Sequence, residues 1–221
     1  MHKLLHTICL LLMLAGCAMQ PAQKDTANYW WYARYRISPD ENGQTKWPVD
    51  LLIADRIIEP VLNKHRDEIR LWRFHRRSVD DSTGHQFSFI FYSDKQTAAN
   101  IYAELKADPL GRSLLQKNIV HHFLTDAPDD NHRTAIEATS DKNWSEPMQK
   151  HWPEYIMGVS ELWLGLINEF AQQTAGSVTG MLAEYDRVDG EIRELWYAEE
   201  KHALFHHMHA IFGYPPEKNY N

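Results

Sequence analysis

The hydrophobic pattern of residues 29–125 switches period repeatedly, and that succession restricts the fold more than any other feature of the chain. From Tyr29 to Ile37 apolar and polar side chains alternate. Trp31, Ala33, Tyr35 and Ile37 share one face, and Trp30, Tyr32, Arg34 and Arg36 share the other, the period of a strand. Ser38-Pro39-Asp40-Glu41-Asn42-Gly43 reads as a loop. Pro48 then sits at a helix start, Val49, Leu52, Ile53 and Ile57 recur at helical spacing, and Pro60 kinks or ends the helix. Leu71 to Arg77 alternates again, with Trp72 and Phe74 inward and Arg73, His75 and Arg77 outward. A polar turn over 80–84 leads to a third strand, His85 to Tyr92, carrying Phe87, Phe89 and Phe91 on one face. Ser93 and Gln96 have the spacing of a capping box before a second helix through Ala98, Ala99, Ile101, Tyr102 and Leu105. Asp108-Pro109 breaks that helix, Arg112 to Asn118 adds a short helical turn, and Ile119 to Thr125 completes the set as a fourth strand. The order β-α-β-β-α-β predicts an α+β protein whose 29–125 half is a ferredoxin-like split βαβ domain.

Residues 126–143 are polar and charged and predict an exposed linker, and 144–221 predict a helical C-terminal subdomain. Ile156, Val159, Trp163, Leu166, Ile167 and Phe170 follow one helix face that ends near Gln173. After a turn at Ala175-Gly176-Ser177, a second pattern runs through Val178, Leu182, Tyr185, Ile192 and Trp196 toward Phe212. It stops at Gly213-Tyr214-Pro215-Pro216, with Asp189-Gly190 as the place for an internal break. A four-stranded sheet with two helices on one face leaves the other bare, so this helical hairpin is expected on the open face or beside it.

The N-terminus specifies an address. Met1-His2-Lys3 is followed by an apolar run to Leu14, shorter than the roughly 20 residues a bilayer span requires. Leu14-Ala15-Gly16-Cys17 closes it. This stretch resembles the signal peptide of bacterial lipoproteins, whose lipobox cysteine is diacylated on sulfur, becomes the new N-terminus and is then N-acylated, with palmitate among its chains. The resemblance covers residues 1–17 and implies lipidation at Cys17, a signal peptide over 1–16 and a short polar tether over 17–28. It further implies an envelope location held by the lipid bilayer, since two or more acyl chains anchor far more firmly than one. Ala18 after the cysteine implies the outer membrane, facing the periplasm, in a Gram-negative cell. An ordinary signal peptide, or an N-terminal hydrophobic helix with an incidental cysteine, is the alternative.

Cys9 and Cys17 are the two cysteines, so a chain starting at Cys17 has no disulfide available and relies on its core. Hydrophobic residues make up 43% and aromatics 12%, with eight Trp, which is the composition of a folded chain. Loss of the leader with Lys3 moves the formal charge from −7 to −8, an acidic balance that argues against nucleic acid as a partner.

Two groups of side chains are candidate sites. Arg34, Arg36, Arg73, His75 and Tyr92 fall on the outward phase of the first three strands, where they either line a cleft for a small anionic ligand or pair with acids such as Glu191, Glu194, Glu199 and Glu200. Glu199, His202, His206 and His209 are spaced three, four and three apart, so an α-helix would set all four on one side. Such spacing can hold a divalent metal, zinc by default, with His121, His122 or His132 completing the site. The other reading is a solvated histidine-rich helix face. No Gly-x-Ser-x-Gly elbow, phosphate-binding glycine loop or cysteine nucleophile accompanies these groups. The expected role is therefore a binding or scaffolding lipoprotein that holds an envelope protein or small ligand, with a periplasmic metal-binding protein or metal-dependent hydrolase as the alternative.

Trp72-Arg73-Phe74-His75-Arg76 followed by Gly84-His85-Gln86-Phe87-Ser88-Phe89 resembles the strand pair in the small domain of lantibiotic-dehydratase-type proteins. No function is carried over from that resemblance.

Overall fold

The computed structural model describes residues 27–127, 129, 132–172 and 176–213. The leader, Cys17, most of the tether and Tyr214-Pro215-Pro216 lie outside the described residues. The period-two segments become β1 (Tyr29–Ile37), β2 (Leu71–Arg77), β3 (Gln86–Ser93) and β4 (Val120–Thr125). They form one antiparallel sheet in the order β2-β3-β1-β4. The protein is thus a mixed α and β fold built on an open four-stranded sheet. Between β2 and β3 the chain reverses on Asp81, which accepts from the Thr83 amide and from Arg77, and on Gly84, whose φ of +71° suits a residue without a side chain.

One face of the sheet is almost entirely aromatic. Trp31, Trp72, Phe74, Phe87, Phe89 and Phe91 are buried there against the helices between strands. Those helices are α1 (Trp47–Ile53) continuing into α2 (Glu59–Lys64), and α3 (Lys95–Ala107) followed by α4 (Pro109–Gln116). A π turn, Ala54–Ile58, joins α1 to α2, with the Glu59 amide bonded to the Ala54 carbonyl. Pro60 accounts for it: the proline has no N–H to offer Arg56 and its ring crowds that carbonyl, so the helix widens by a residue rather than ending. The start of α3 differs from expectation. Its cap is Asp94, which accepts from the Thr97 amide, and not Ser93 with Gln96. Ser93 is fully buried as the last residue of β3, and its carbonyl accepts from the Trp31 indole at 2.9 Å, so it belongs to the sheet.

The C-terminal helices are α5 (Glu146–Phe170), α6 (Val178–Glu199), a π turn (Glu200–His206) and α7 (His207–Phe212). They lie beside the sheet, with α5 reaching its outer face through Met157, which packs against Trp30, Leu71, Ile90 and Tyr92. α5 runs along the border strand β2, where Ser160 Oγ accepts from the Phe74 amide at 3.1 Å and Trp163 meets Phe74 edge-on at 5.5 Å. α6 packs on α1, placing Tyr185 and Val188 in the same core as the sheet aromatics. The cause is α1 itself. Val49, Asp50, Leu51, Leu52 and Ile53 are all buried, so this helix is enclosed around its circumference and needs cover on its outer side as well. α6 has no break at Asp189-Gly190, because Asp189 is buried and bonded to Arg193. Among the described residues no helix is long and apolar enough to cross a membrane.

The stretch expected as an exposed linker over 126–143 is fastened to the sheet. The Trp30 indole donates to the carbonyls of Ala135 and Ile136 at 3.2 and 2.9 Å, and the Tyr92 hydroxyl donates to the Thr134 carbonyl at 2.5 Å. Ile136 and Ala138 join Trp30, Leu71, Ile90 and Tyr92 in a second small core on the outer face. Polar composition misleads here because the segment contributes mainly backbone acceptors to buried donors. The same segment repairs α5. Pro153 leaves the Gln149 carbonyl without its helical donor, and Ser140 Oγ supplies one at 2.7 Å. Ser140→Ala is expected to cost about 1 kcal/mol in urea-induced unfolding, whereas Ser140→Thr, which keeps the donor, recovers most of it.

Candidate functional site

Between the outer side of β2, α5 and the α6–α7 arm lies a cleft of about 1000 Å³. Its walls follow from helical periodicity. α5 presents Tyr155, Val159 and Leu162 at three- and four-residue spacing, and the opposite wall presents Trp196, Phe205 and Ile211. All six are more than a third exposed, and Ile211 reaches 79%. A contiguous apolar surface left open in this way is the mark of a binding site more than of a folding core. The Tyr155 hydroxyl reaches Met208 Sδ at 3.9 Å, linking the two walls.

The floor is basic. Arg73, His75 and Arg77 alternate on the outward phase of β2 and line the cleft together with Tyr32 and Ile90. Arg77 is answered by Asp81 at 2.9 Å, and the Thr83 amide followed by Arg77 holds that carboxylate down to about 2. Arg73 is half-buried. Its described hydrogen bond is a long one, 3.4 Å to the Thr139 carbonyl, and its Nε is buried without an acceptor among the described residues. Burial lowers the Arg73 pKa from its ordinary value. Burial first, then the charges of Arg73 and Arg77, hold the His75 imidazole at about 4 against an ordinary 6.5, with Asp81 opposing.

His75 therefore makes the fold acid-sensitive. The unfolded chain takes up its proton near pH 6.5 while the folded chain resists until about pH 4, so the stabilisation is complete above 6.5 and is lost progressively as pH falls toward 4. His75→Gln is expected to flatten that part of the stability curve, seen as a smaller drop in the urea midpoint between pH 7 and pH 4.5 than in the parent.

Of the five basic and aromatic candidates, Arg73 and His75 line the cleft, and Arg34, Arg36 and Tyr92 do not. Arg34 pairs with Asp126, which also accepts from the Tyr32 amide and from Arg133. Both guanidinium carbons, of Arg34 and Arg133, lie 4.4 Å from the Tyr32 ring centre. Arg36 donates to the Thr83 carbonyl, and Tyr92 is engaged with Thr134. The counter-charge for Arg34 comes from the 126–143 stretch and not from the last helices.

The histidine-rich segment is rearranged by its π turn. Glu199 ends α6, His202 and His206 lie in the turn and His209 lies in α7. The widened turn changes the α-helical spacing on which a common face depended. The rings of His202 and His206 stack at 5.3 Å, and His207 stands 5.5 and 5.4 Å from them. Among the described residues no three metal-ligating side chains converge on one point. His121 and His122 are neighbours on β4, bordering a separate cleft of about 280 Å³.

A buried charged cluster went unnoticed in the sequence. Asp50 on α1 is wholly buried and accepts from His85 Nε2 and Arg76 Nε, both at 2.8 Å. The Arg76 guanidinium lies over the rings of Trp47 and Trp163, at 4.6 and 5.0 Å, and approaches Asp189 at 3.8 Å. The signal was present: Arg76 falls on the inward phase of β2 with Trp72 and Phe74, and a charge pointing into a core requires a partner.

No protein-family model matches the chain, and no curated protein matches it. Among solved structures, the crystal structure of TsrL is similar with a TM-score of 0.38 and 9% identity, over 71% of this chain and 38% of the TsrL chain. The chain thus spans less than half the length of that protein.

Proposed function

We propose that this chain is a lipid-anchored bacterial envelope protein whose folded body is a binding module working through the cleft between α5 and the α6–α7 arm. The observation that carries it is the cleft itself, with a volume of about 1000 Å³ and exposed aromatic and aliphatic walls. That is the size and character of a small-molecule site. The anchor rests on Leu14-Ala15-Gly16-Cys17 at the end of an apolar leader. Acylation at Cys17 would place the body on a membrane surface, the outer membrane facing the periplasm in a Gram-negative cell, and nucleic acid is not a partner. The ferredoxin-like description of residues 29–125 belongs to the same reading. It is supported by the antiparallel order β2-β3-β1-β4 with helices between β1 and β2 and between β3 and β4.

Two measurements test it. Cys17→Ser is expected to move the protein from the membrane to the soluble fraction of its host; retention after a high-salt wash would remove the lipid anchor. Leu162→Arg, which sets a charge in the α5 wall, is expected to abolish enhancement of an apolar fluorophore such as N-phenylnaphthylamine by the protein. Unchanged enhancement would remove the cleft.

A second reading is a periplasmic zinc-binding protein or metal-dependent hydrolase with its site around His202 and His206, whose rings neighbour each other and that of His207 at 5.3–5.5 Å between centres without three ligating groups converging among the described residues. Near-stoichiometric zinc, lost when His202 and His206 become alanine, would establish it.

A further inference from the structure

Granting the cleft as a binding site, we infer that it takes a long-chain acyl anion, with the apolar chain between α5 and the α6–α7 arm and an acidic head set against Arg73. The lining is divided by chemistry. The helical walls are apolar, and β2 supplies Arg73, His75 and Arg77 at every second residue along the floor, about 6.6 Å apart. An amphipathic molecule matches that division, whereas a wholly apolar one leaves the floor uncompensated.

The charge bookkeeping points to Arg73. Arg77 has Asp81, and Arg76, which also borders the cleft, has Asp50 with Asp189 nearby. The Nε of Arg73 and that of Arg77 are both buried without an acceptor among the described residues, but of the three cleft arginines Arg73 alone has no carboxylate partner among them. Asp141, the one acid among the described lining residues, accepts from the Asn143 amide at 2.8 Å and forms no ion pair with Arg73. A half-buried guanidinium with its Nε unmet is costly, and an anion beside it supplies charge-assisted hydrogen bonds. His75, held neutral by burial and then by its basic neighbours, can donate to the same head group without adding charge. The chain as a whole is acidic, whereas the floor of this cleft carries basic side chains.

The test uses the full chain in its native membranes and two photoreactive probes: palmitate carrying a diazirine in its chain and a terminal alkyne, and the matching alcohol. The acid is expected to label α5 and the α6–α7 arm, with excess oleate competing and oleyl alcohol competing poorly. Arg73→Gln is expected to reduce labelling by the acid about tenfold while leaving the alcohol unchanged, the size of one charge-assisted bond; Arg73→Lys is expected to restore most of it. Leu162→Arg is expected to abolish labelling by both probes. Equal labelling by acid and alcohol, or indifference of the acid to Arg73→Gln, overturns the anionic ligand and leaves the cleft standing. Labelling unaffected by Leu162→Arg, or spread over the whole surface, overturns the cleft and the ligand together.

Discussion

Asp50→Ala is expected to destabilise the protein by about 3–5 kcal/mol, the range found when one partner is removed from a buried ionic group. The carboxylate has no exposed surface, and it is the acceptor for both the fully buried His85 ring and the Arg76 guanidinium. Alanine leaves the buried His85 ring and the partly exposed Arg76 guanidinium without that acceptor. His85 is the more severely affected, since its Nδ1 is already buried without a hydrogen-bond partner among the described residues. Against a total stability of about 5–15 kcal/mol, this single loss takes a large fraction. Urea unfolding of the parent and variant measures it. Replacing Asp50, Arg76 and His85 together by leucine is expected to recover part of the loss, because removing the whole group removes the unmet donors with it. A loss below about 1 kcal/mol for Asp50→Ala would mean that the cluster is more hydrated than its burial indicates.

Phe89→Ala is the second large effect, expected at about 3–5 kcal/mol. Phe89 is completely buried in a central strand and stacks on Phe91 at 5.0 Å, with Phe74 and Trp72 within 6.4 Å. Its removal opens a cavity walled by rings that are themselves fixed by neighbours, so collapse is limited. Leucine at the same position is expected to cost about 1–2 kcal/mol, since it restores much of the volume. The comparison separates cavity formation from loss of aromatic contact. Equal losses for leucine and alanine would assign the effect to ring stacking.

The strands were legible because each has one buried face. Tyr29–Ile37 and Leu71–Arg77 occur with the bounds that alternation predicts, and the third and fourth strands begin one residue later than predicted. Helix ends were less legible. Ser93 and Asp94 both offer capping side chains, and only the register with β1, which pairs Ser93 with Tyr29, shows that Ser93 is still strand. Placement of the C-terminal helices depended on α1. The unbroken run Leu51-Leu52-Ile53-Ala54 shows that this helix is buried on more than one side, yet no periodicity within α6 says which surface it will cover. The cleft was half legible. Alternation on β2 pointed to Arg73 and His75, but its walls come from segments 60 to 140 residues further on, and their uncovered sides become visible only once α5 and α6 are placed.

The treatment of the sheet's two borders has a consequence for self-association. On β2 the Phe74 amide is taken by Ser160 and α5 lies alongside, while β4, six residues long and paired across an irregularity at Arg36/Ile37, has no further strand beyond it among the described residues. A ribbon that can be lengthened from one side only cannot propagate into a filament. Any strand-by-strand meeting of two molecules through β4 would be pairwise and would stop there.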